Sequence, residues 1–167
     1  GRGPMFGRVY SACVILPHDD DSFDYACLKD SKRFTSKKKL LAVYEYIKEH
    51  AIDYSICYED EETIDSINIL QATQKCMHNT IKGLTIRPEH LLVDGNYFNL
   101  YKDKDGVIPF TCVEGGDNSY CSIAAASILA KVERDKYIND LSKSLHKVDK
   151  KSLNKAANEV LKKIING

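Results

Sequence analysis

The sequence has no long apolar run. Its longest apolar stretch, residues 124–132, is interrupted by Ser127 and Lys131, and it is far shorter than the roughly 20 apolar residues that a membrane-spanning helix needs. Residues 1–10 also lack the basic start and apolar segment of a secretory signal peptide. We therefore expect a cytoplasmic protein with no membrane partner.

An excess of charge of one sign is also lacking, since 24 basic side chains balance 24 acidic ones. The field of the whole molecule would therefore not attract nucleic acid. The charge is nevertheless segregated along the chain. Residues 29–39 hold six basic and one acidic side chain, and residues 131–163 hold ten basic and five acidic ones. These segments are either local basic surfaces or ordinary solvated helix faces.

The six cysteines form no C-x-x-C pair, and most have apolar neighbours. This pattern predicts buried, reduced thiols rather than a disulfide framework. No set of cysteines and histidines has the spacing of zinc ligands, so we do not expect a zinc site.

Alternating strand and helix patterns are present instead. Apolar and β-branched residues predict strands over residues 8–16, 52–58, 90–94 and 107–113. Helical periodicity predicts helices over residues 36–50, 69–82, 122–146 and 150–165, with an acidic segment at 59–65 and a polar turn at 102–106. A chain of 167 residues with 43% hydrophobic content suits one domain. The order predicts an α/β fold with a central sheet.

Two aspartates lie where an α/β fold places ligands. Asp94 ends a short apolar strand, and Asp117 follows two glycines just before an alanine-rich helix. The carboxyl ends of strands in an open sheet are common binding positions, and carboxylate oxygens suit Mg²⁺. The spacing alone leaves open that Asp94 is a turn residue and Asp117 a helix cap.

Five segments, taken in order, resemble the motifs of the ribonuclease HII family. They are Gly1-Arg2-Gly3-Pro4, Lys29-Asp30-Ser31-Lys32 with Ser36 to Lys39, Ile64 to Thr73, Leu92-Val93-Asp94-Gly95-Asn96, and Gly116-Asp117 with Ser122 to Val132 and Arg134-Asp135. Together they cover the chain to about residue 147.

The resemblance implies an RNase H-like fold, with a central mixed β-sheet flanked by helices and its first strand largely missing. Residues 1–147 would form the catalytic domain, truncated at its start, and residues 148–167 a divergent basic helix. The implied activity is endonucleolytic cleavage of the RNA strand of RNA–DNA hybrids and incision at ribonucleotides embedded in duplex DNA. Two divalent ions, Mg²⁺ or Mn²⁺, would support hydrolysis that leaves 5′-phosphate and 3′-hydroxyl ends.

The same resemblance assigns roles to particular residues. Asp94 and Asp117 would be catalytic metal ligands. Nucleic acid would be bound by Gly1, Arg2, Gly3, Lys32, Asn96, Ser122 and Lys131. We expect a monomer that binds an RNA–DNA hybrid or ribonucleotide-containing duplex DNA.

The chain also departs from the family pattern. The family has Asp-Glu-Ala directly before its Gly-Arg-Gly motif, and this chain begins at Gly1. Because two of the implied metal ligands are then absent, we expect impaired catalysis in the chain as written. The family's substrate-sensing tyrosine is not identifiable after residue 147. Two alternatives therefore stay open: a non-catalytic hybrid-binding module, and an α/β domain whose basic helices dock a protein partner.

Overall fold

A computed structural model describes residues 7–18, 22–30 and 36–166 of the chain. Within them lie six strands and five helices. The strands are β1 (Val9–Ile15), β2 (Asp53–Glu59), β3 (Leu91–Asp94), β4 (Lys102–Asp103), β5 (Gly106–Val107) and β6 (Phe110–Val113). The helices are α1 (Ala26–Asp30), α2 (Lys37–His50), α3 (Glu61–Lys82), α4 (Gly116–Ser119) and α5 (Cys121–Asn166).

The strands pair in three two-stranded sheets within the described part of the chain. The pairs β1–β2 and β4–β5 are antiparallel, and the pair β3–β6 is parallel. Both kinds of pairing are present, and helices account for the longest elements. The predicted α/β class is therefore confirmed.

The main core is built from α1, α2, the start of α5 and β1. Helix α2 buries Val43, Tyr44 and Ile47 on one face, as its helical spacing predicts. These side chains share a buried cluster with Ala125 and Leu129 of α5. The packing fixes the first part of α5, whose N-terminal end follows Asp117.

Helix α3 contains a break that the sequence pattern does not reveal. Asn68 has φ 69° and ψ 167°, a region that is almost restricted to glycine. Its Oδ1 accepts a hydrogen bond from the Gln71 amide at 3.0 Å, which is the geometry of a helix N-cap. The element is thus two helical segments joined at Asn68, and the second ends at Gly83 as predicted.

A second core lies under the parallel pair. Leu91 and Val93 of β3 are buried together with Phe98, Tyr101 and Ile108. The predicted strand over residues 107–113 is shorter in the structure, because Val107 pairs in the β4–β5 hairpin and β6 begins only at Phe110. Pro109 lies between them, and a proline interrupts a strand because it has no amide hydrogen to donate.

The chain divides into two compact units, Gly1–Arg134 and Asp135–Gly167. The second unit is helical over its described residues, with Leu153 70% and Ile164 72% exposed. The sequence predicted one helix ending near residue 146 and another starting at residue 150. This prediction was wrong, because α5 continues from Cys121 to Asn166 without interruption. Residues 147–149 contain neither glycine nor proline, so nothing in them stops a helix. No helix within the described ranges is both long and apolar enough to span a membrane.

Candidate active site

Asp94 lies at the carboxyl end of the parallel strand pair. It is the last residue of β3 and is opposite Val113, the last residue of β6. The Gly95 amide donates a hydrogen bond to the Val113 carbonyl at 3.0 Å, so the pairing extends one step past the strand end. The side chain of Asp94 is exposed. The parallel pairing therefore brings the chain that follows β6 beside Asp94.

Two glycines carry the chain from β6 into α4, the short helix that bears Asp117. Gly115 adopts φ 61°, a left-handed conformation that glycine tolerates best. At Gly116 a Cβ atom would lie 2.6 Å from Cδ1 of Ile123, so this position has no room for a side chain. The Gly116 amide donates a hydrogen bond to Oδ1 of Asp94 at 3.1 Å. The two predicted aspartates are thus brought together.

These aspartates suit a divalent cation as part of a ligand set. Both supply carboxylate oxygens, which Mg²⁺ and Mn²⁺ accept, and the half-buried Asp117 lies directly after the residue that binds Asp94. Across residues 7–18, 22–30 and 36–166, no group of three or more His, Cys, Asp or Glu side chains is arranged to hold a metal. A metal site built on Asp94 and Asp117 would therefore need further ligands.

The other predicted binding residues are distributed around this point. Asn96 is exposed two residues after Asp94, and the half-buried Ser122 is the second residue of α5. Lys131 is exposed on α5. It lies nine residues after Ser122, which at 3.6 residues per turn puts it on the opposite face of the helix. Asn96 is thus near the aspartates by sequence, while Lys131 and Ser122 face different sides. Gly1, Arg2, Gly3 and Lys32 lie outside the described residues.

A cavity of about 770 Å³ opens beside Asp94. Asp94 and Asn96 line it, together with residues of β1, α3 and the start of α5, Ser122 among them. Cys13 lines the same cavity, and burial raises the pKa of its thiol to about 11. A thiol that stays protonated is a poor nucleophile, so we do not expect Cys13 to act as one.

The loop after Asp94 is fixed by hydrogen bonds that the sequence did not reveal. Gln74 of α3 is only 4% exposed. Its Nε2 donates to the Tyr97 carbonyl at 3.4 Å, and its Oε1 accepts from the Asn99 amide at 2.8 Å. The His78 Nε2 is 2.7 Å from the Asn99 carbonyl oxygen. The one available signal was a polar residue, Gln74, on the side of the helix opposite to Ala72 and Cys76, which are also buried.

Comparison with known proteins gives consistent results. A sequence profile of the family described as Ribonuclease HII matches residues 1–166. The chain is similar to the ribonuclease HII of Bacteroides thetaiotaomicron, with 48% identity over 84% of this chain and 66% of that protein. It is also similar to that of Parabacteroides distasonis, with 47% identity over 85% and 67%. The chain thus spans about two thirds of the length of these relatives.

A solved structure also resembles the fold. The crystal structure of the ribonuclease H2 from Pyrococcus horikoshii superposes with a TM-score of 0.67 at 21% identity, covering 86% of this chain and 72% of that one. The predicted RNase H-like fold is therefore confirmed. The predicted limit of the family-like region at residue 147 stays a prediction. With the profile match over residues 1–166, the chain belongs to the ribonuclease HII family.

Proposed function

We propose that the chain is a ribonuclease H-type endonuclease. Its substrates would be the RNA strand of RNA–DNA hybrids and single ribonucleotides embedded in duplex DNA. Hydrolysis would leave 5′-phosphate and 3′-hydroxyl ends and would depend on two Mg²⁺ or Mn²⁺ ions. A monomeric state and a cytoplasmic location accompany this proposal as predictions.

The observation that carries the proposal is the hydrogen bond from the Gly116 amide to Oδ1 of Asp94. It supports a role for Asp94 and Asp117 as one functional unit, because the residue next to Asp117 is tied to the Asp94 carboxylate. Divalent cations held by such carboxylates supply an activated water and stabilise the leaving oxygen in phosphodiester hydrolysis.

The chain's own contribution is to hold its carboxylates in place. The β3–β6 pairing sets the position of Asp94, and the Gly116 amide orients one of its oxygens. The other oxygen of Asp94 and the carboxylate of Asp117 then remain as the ligands. Preset ligand geometry matters because metal sites lose affinity when ligands are free to reorient.

The test is the substitution Asp94→Asn. The amide oxygen of asparagine can still accept the Gly116 hydrogen bond, so the fold should persist while the charge is lost. In a form of the protein that includes the family's Asp-Glu-Ala segment, we expect metal-dependent cleavage of a hybrid to fall by more than about a hundredfold, with hybrid binding retained. Asp105→Asn, in the turn between β4 and β5, is the matched control and should cleave normally. Retained cleavage by Asp94→Asn would refute the assignment.

A second candidate function is a non-catalytic hybrid-binding module. It is favoured by the absence, among the described residues, of any group of three potential metal ligands. A nicking assay on duplex DNA with one embedded ribonucleotide separates the two candidates. Nicking by the 167-residue chain that disappears with Asp94→Asn supports the enzyme. Hybrid binding without nicking supports the module when it persists, at any concentration of Mg²⁺ or Mn²⁺, in a form that includes the family's Asp-Glu-Ala segment.

A further inference from the structure

The loop that follows Asp94 presents one aromatic ring to solvent. Phe98 is 6% exposed and packs against Phe110 and His78, with ring centroids 5.1 and 5.2 Å apart. Its neighbour Tyr97 is 47% exposed. Phe98 therefore anchors the loop in the core, while the side chain of Tyr97 stays exposed.

The position of Tyr97 is fixed from two sides. Its carbonyl accepts a hydrogen bond from the buried Gln74, which also holds the Asn99 amide. Its hydroxyl donates to Oδ1 of Asn99 at 2.6 Å, so the ring is tied to the same loop. A buried glutamine and a ring-to-loop hydrogen bond thus hold an exposed tyrosine. Fixing a side chain before binding reduces the entropy lost on binding.

Tyr97 is also close to the carboxylates. It lies three residues after Asp94, so their Cα atoms are at most about 11 Å apart. Base pairs rise about 3.4 Å along a duplex. A ring at this distance can reach a nucleotide within about three steps of a phosphate placed at Asp94.

We propose that Tyr97 binds substrate by packing its ring against the apolar face of a nucleotide sugar near the cleaved phosphate. The inference rests on the proposed function, because it takes the ligand to be nucleic acid. In a duplex the base faces are covered by stacking, whereas the wide, shallow minor groove of an A-form helix exposes the sugars. An aromatic side chain with few rotatable bonds suits such a contact. Tyr97 is a positioning residue and takes no part in the chemistry.

Binding is measured by fluorescence anisotropy of a labelled RNA–DNA hybrid, with all variants carrying Asp94→Asn so that the hybrid stays intact. Tyr97→Ala should weaken binding about tenfold, because about half of a tyrosine surface is available for contact. Tyr97→Phe keeps the ring and loses only the hydroxyl bond to Asn99, while the carbonyl bond from Gln74 still holds the loop, so it should bind within about twofold of the parent. The dependence of binding on salt should not change, since no charge is removed.

Tyr58→Ala is the matched control. Tyr58 is 48% exposed, but it is in β2 and is followed by the exposed acidic residues Asp60, Glu61 and Glu62, which repel phosphates. It should bind like the parent. A second variant, Gln74→Leu, keeps the tyrosine but removes the two hydrogen bonds from Gln74 that hold its loop. We expect it to weaken binding, as Tyr97→Ala does. Circular dichroism confirms that each variant is folded.

The outcomes separate this inference from the proposed function. Equal binding by Tyr97→Ala and the parent overturns the role of Tyr97 while leaving the cleavage test unaffected. Equal loss in Tyr97→Ala and Tyr97→Phe overturns ring packing, because the hydroxyl would then be responsible. If cleavage fails but Tyr97→Ala still weakens binding and Tyr97→Phe does not, the inference holds and the enzyme assignment fails.

Discussion

The substitution Gly116→Ala tests how tightly the structure is packed around the aspartates. The added Cβ would lie 2.6 Å from Cδ1 of Ile123 and 3.4 Å from Cβ of Val113. Ile123 is 5% exposed, so its side chain has little space into which to move. Overfilling a packed site costs about 1–3 kcal/mol. We therefore expect the free energy of unfolding to fall by about 2 kcal/mol, which shifts a urea midpoint by about 1 M.

A second substitution identifies the cause. Ile123→Val removes the Cδ1 atom that the alanine would meet, and by itself should cost about 0.5–1.5 kcal/mol. In the double variant the overlap is relieved. Its free energy of unfolding should therefore be about 1–2 kcal/mol higher than the sum of the two single-variant losses predicts. Urea unfolding followed by circular dichroism measures all four proteins. Losses that add to within about 0.5 kcal/mol in the double variant would refute the steric explanation.

Three further predictions follow from individual contacts. Asn68→Ala loses the cap hydrogen bond and keeps the unfavourable φ, so it should lower the free energy of unfolding by about 1–2 kcal/mol, whereas Asn68→Gly should lose less; urea titration compares them. Burial raises the pKa of Cys76 to about 12, so at pH 8 alkylation followed by mass spectrometry should label this thiol more slowly than the others. The hydrogen bonds from Arg87 lower the pKa of Asp103. The Asp103 carboxylate should therefore titrate below its usual range by NMR, and Arg87→Gln should move it back up. The stabilisation from the Arg87–Asp103 pair is fully present at a pH above the ordinary aspartate pKa. It is lost as the pH falls through the lowered pKa of Asp103.

Much of the site could be predicted from the sequence because its determinants are local. Asp94 ends an apolar strand, and Asp117 follows a glycine pair, so strand ends and turn residues mark both positions. The family motifs then assigned these two carboxylates to one site. Their proximity depends on the parallel β3–β6 pairing, which joins residues about 20 positions apart and which the α/β pattern implies without fixing its register.

Other features depend on contacts that no local pattern encodes. The conformation of Asn68 is retained by its helix cap and by the packing of the two segments it joins, and helical periodicity continues through it. Gln74 contacts a loop 23–25 positions away, so only the folded chain shows why a buried helix face carries an amide. The helix boundary predicted near residue 146 was wrong for a different reason, because residues 147–149 contain no helix-breaking residue and α5 continues through them.

The hairpin of β4 and β5 has a practical consequence. It is inserted between β3 and β6, yet the register that aligns Asp94 with Val113 is made by those two strands alone. The tip residues Lys104 and Asp105 are exposed, and doubling the length of a flexible loop costs only about 0.6 kcal/mol. An affinity tag or a fluorescent reporter inserted between Lys104 and Asp105 should therefore leave the spacing of the two aspartates unchanged. This gives the protein an internal labelling position that uses neither terminus.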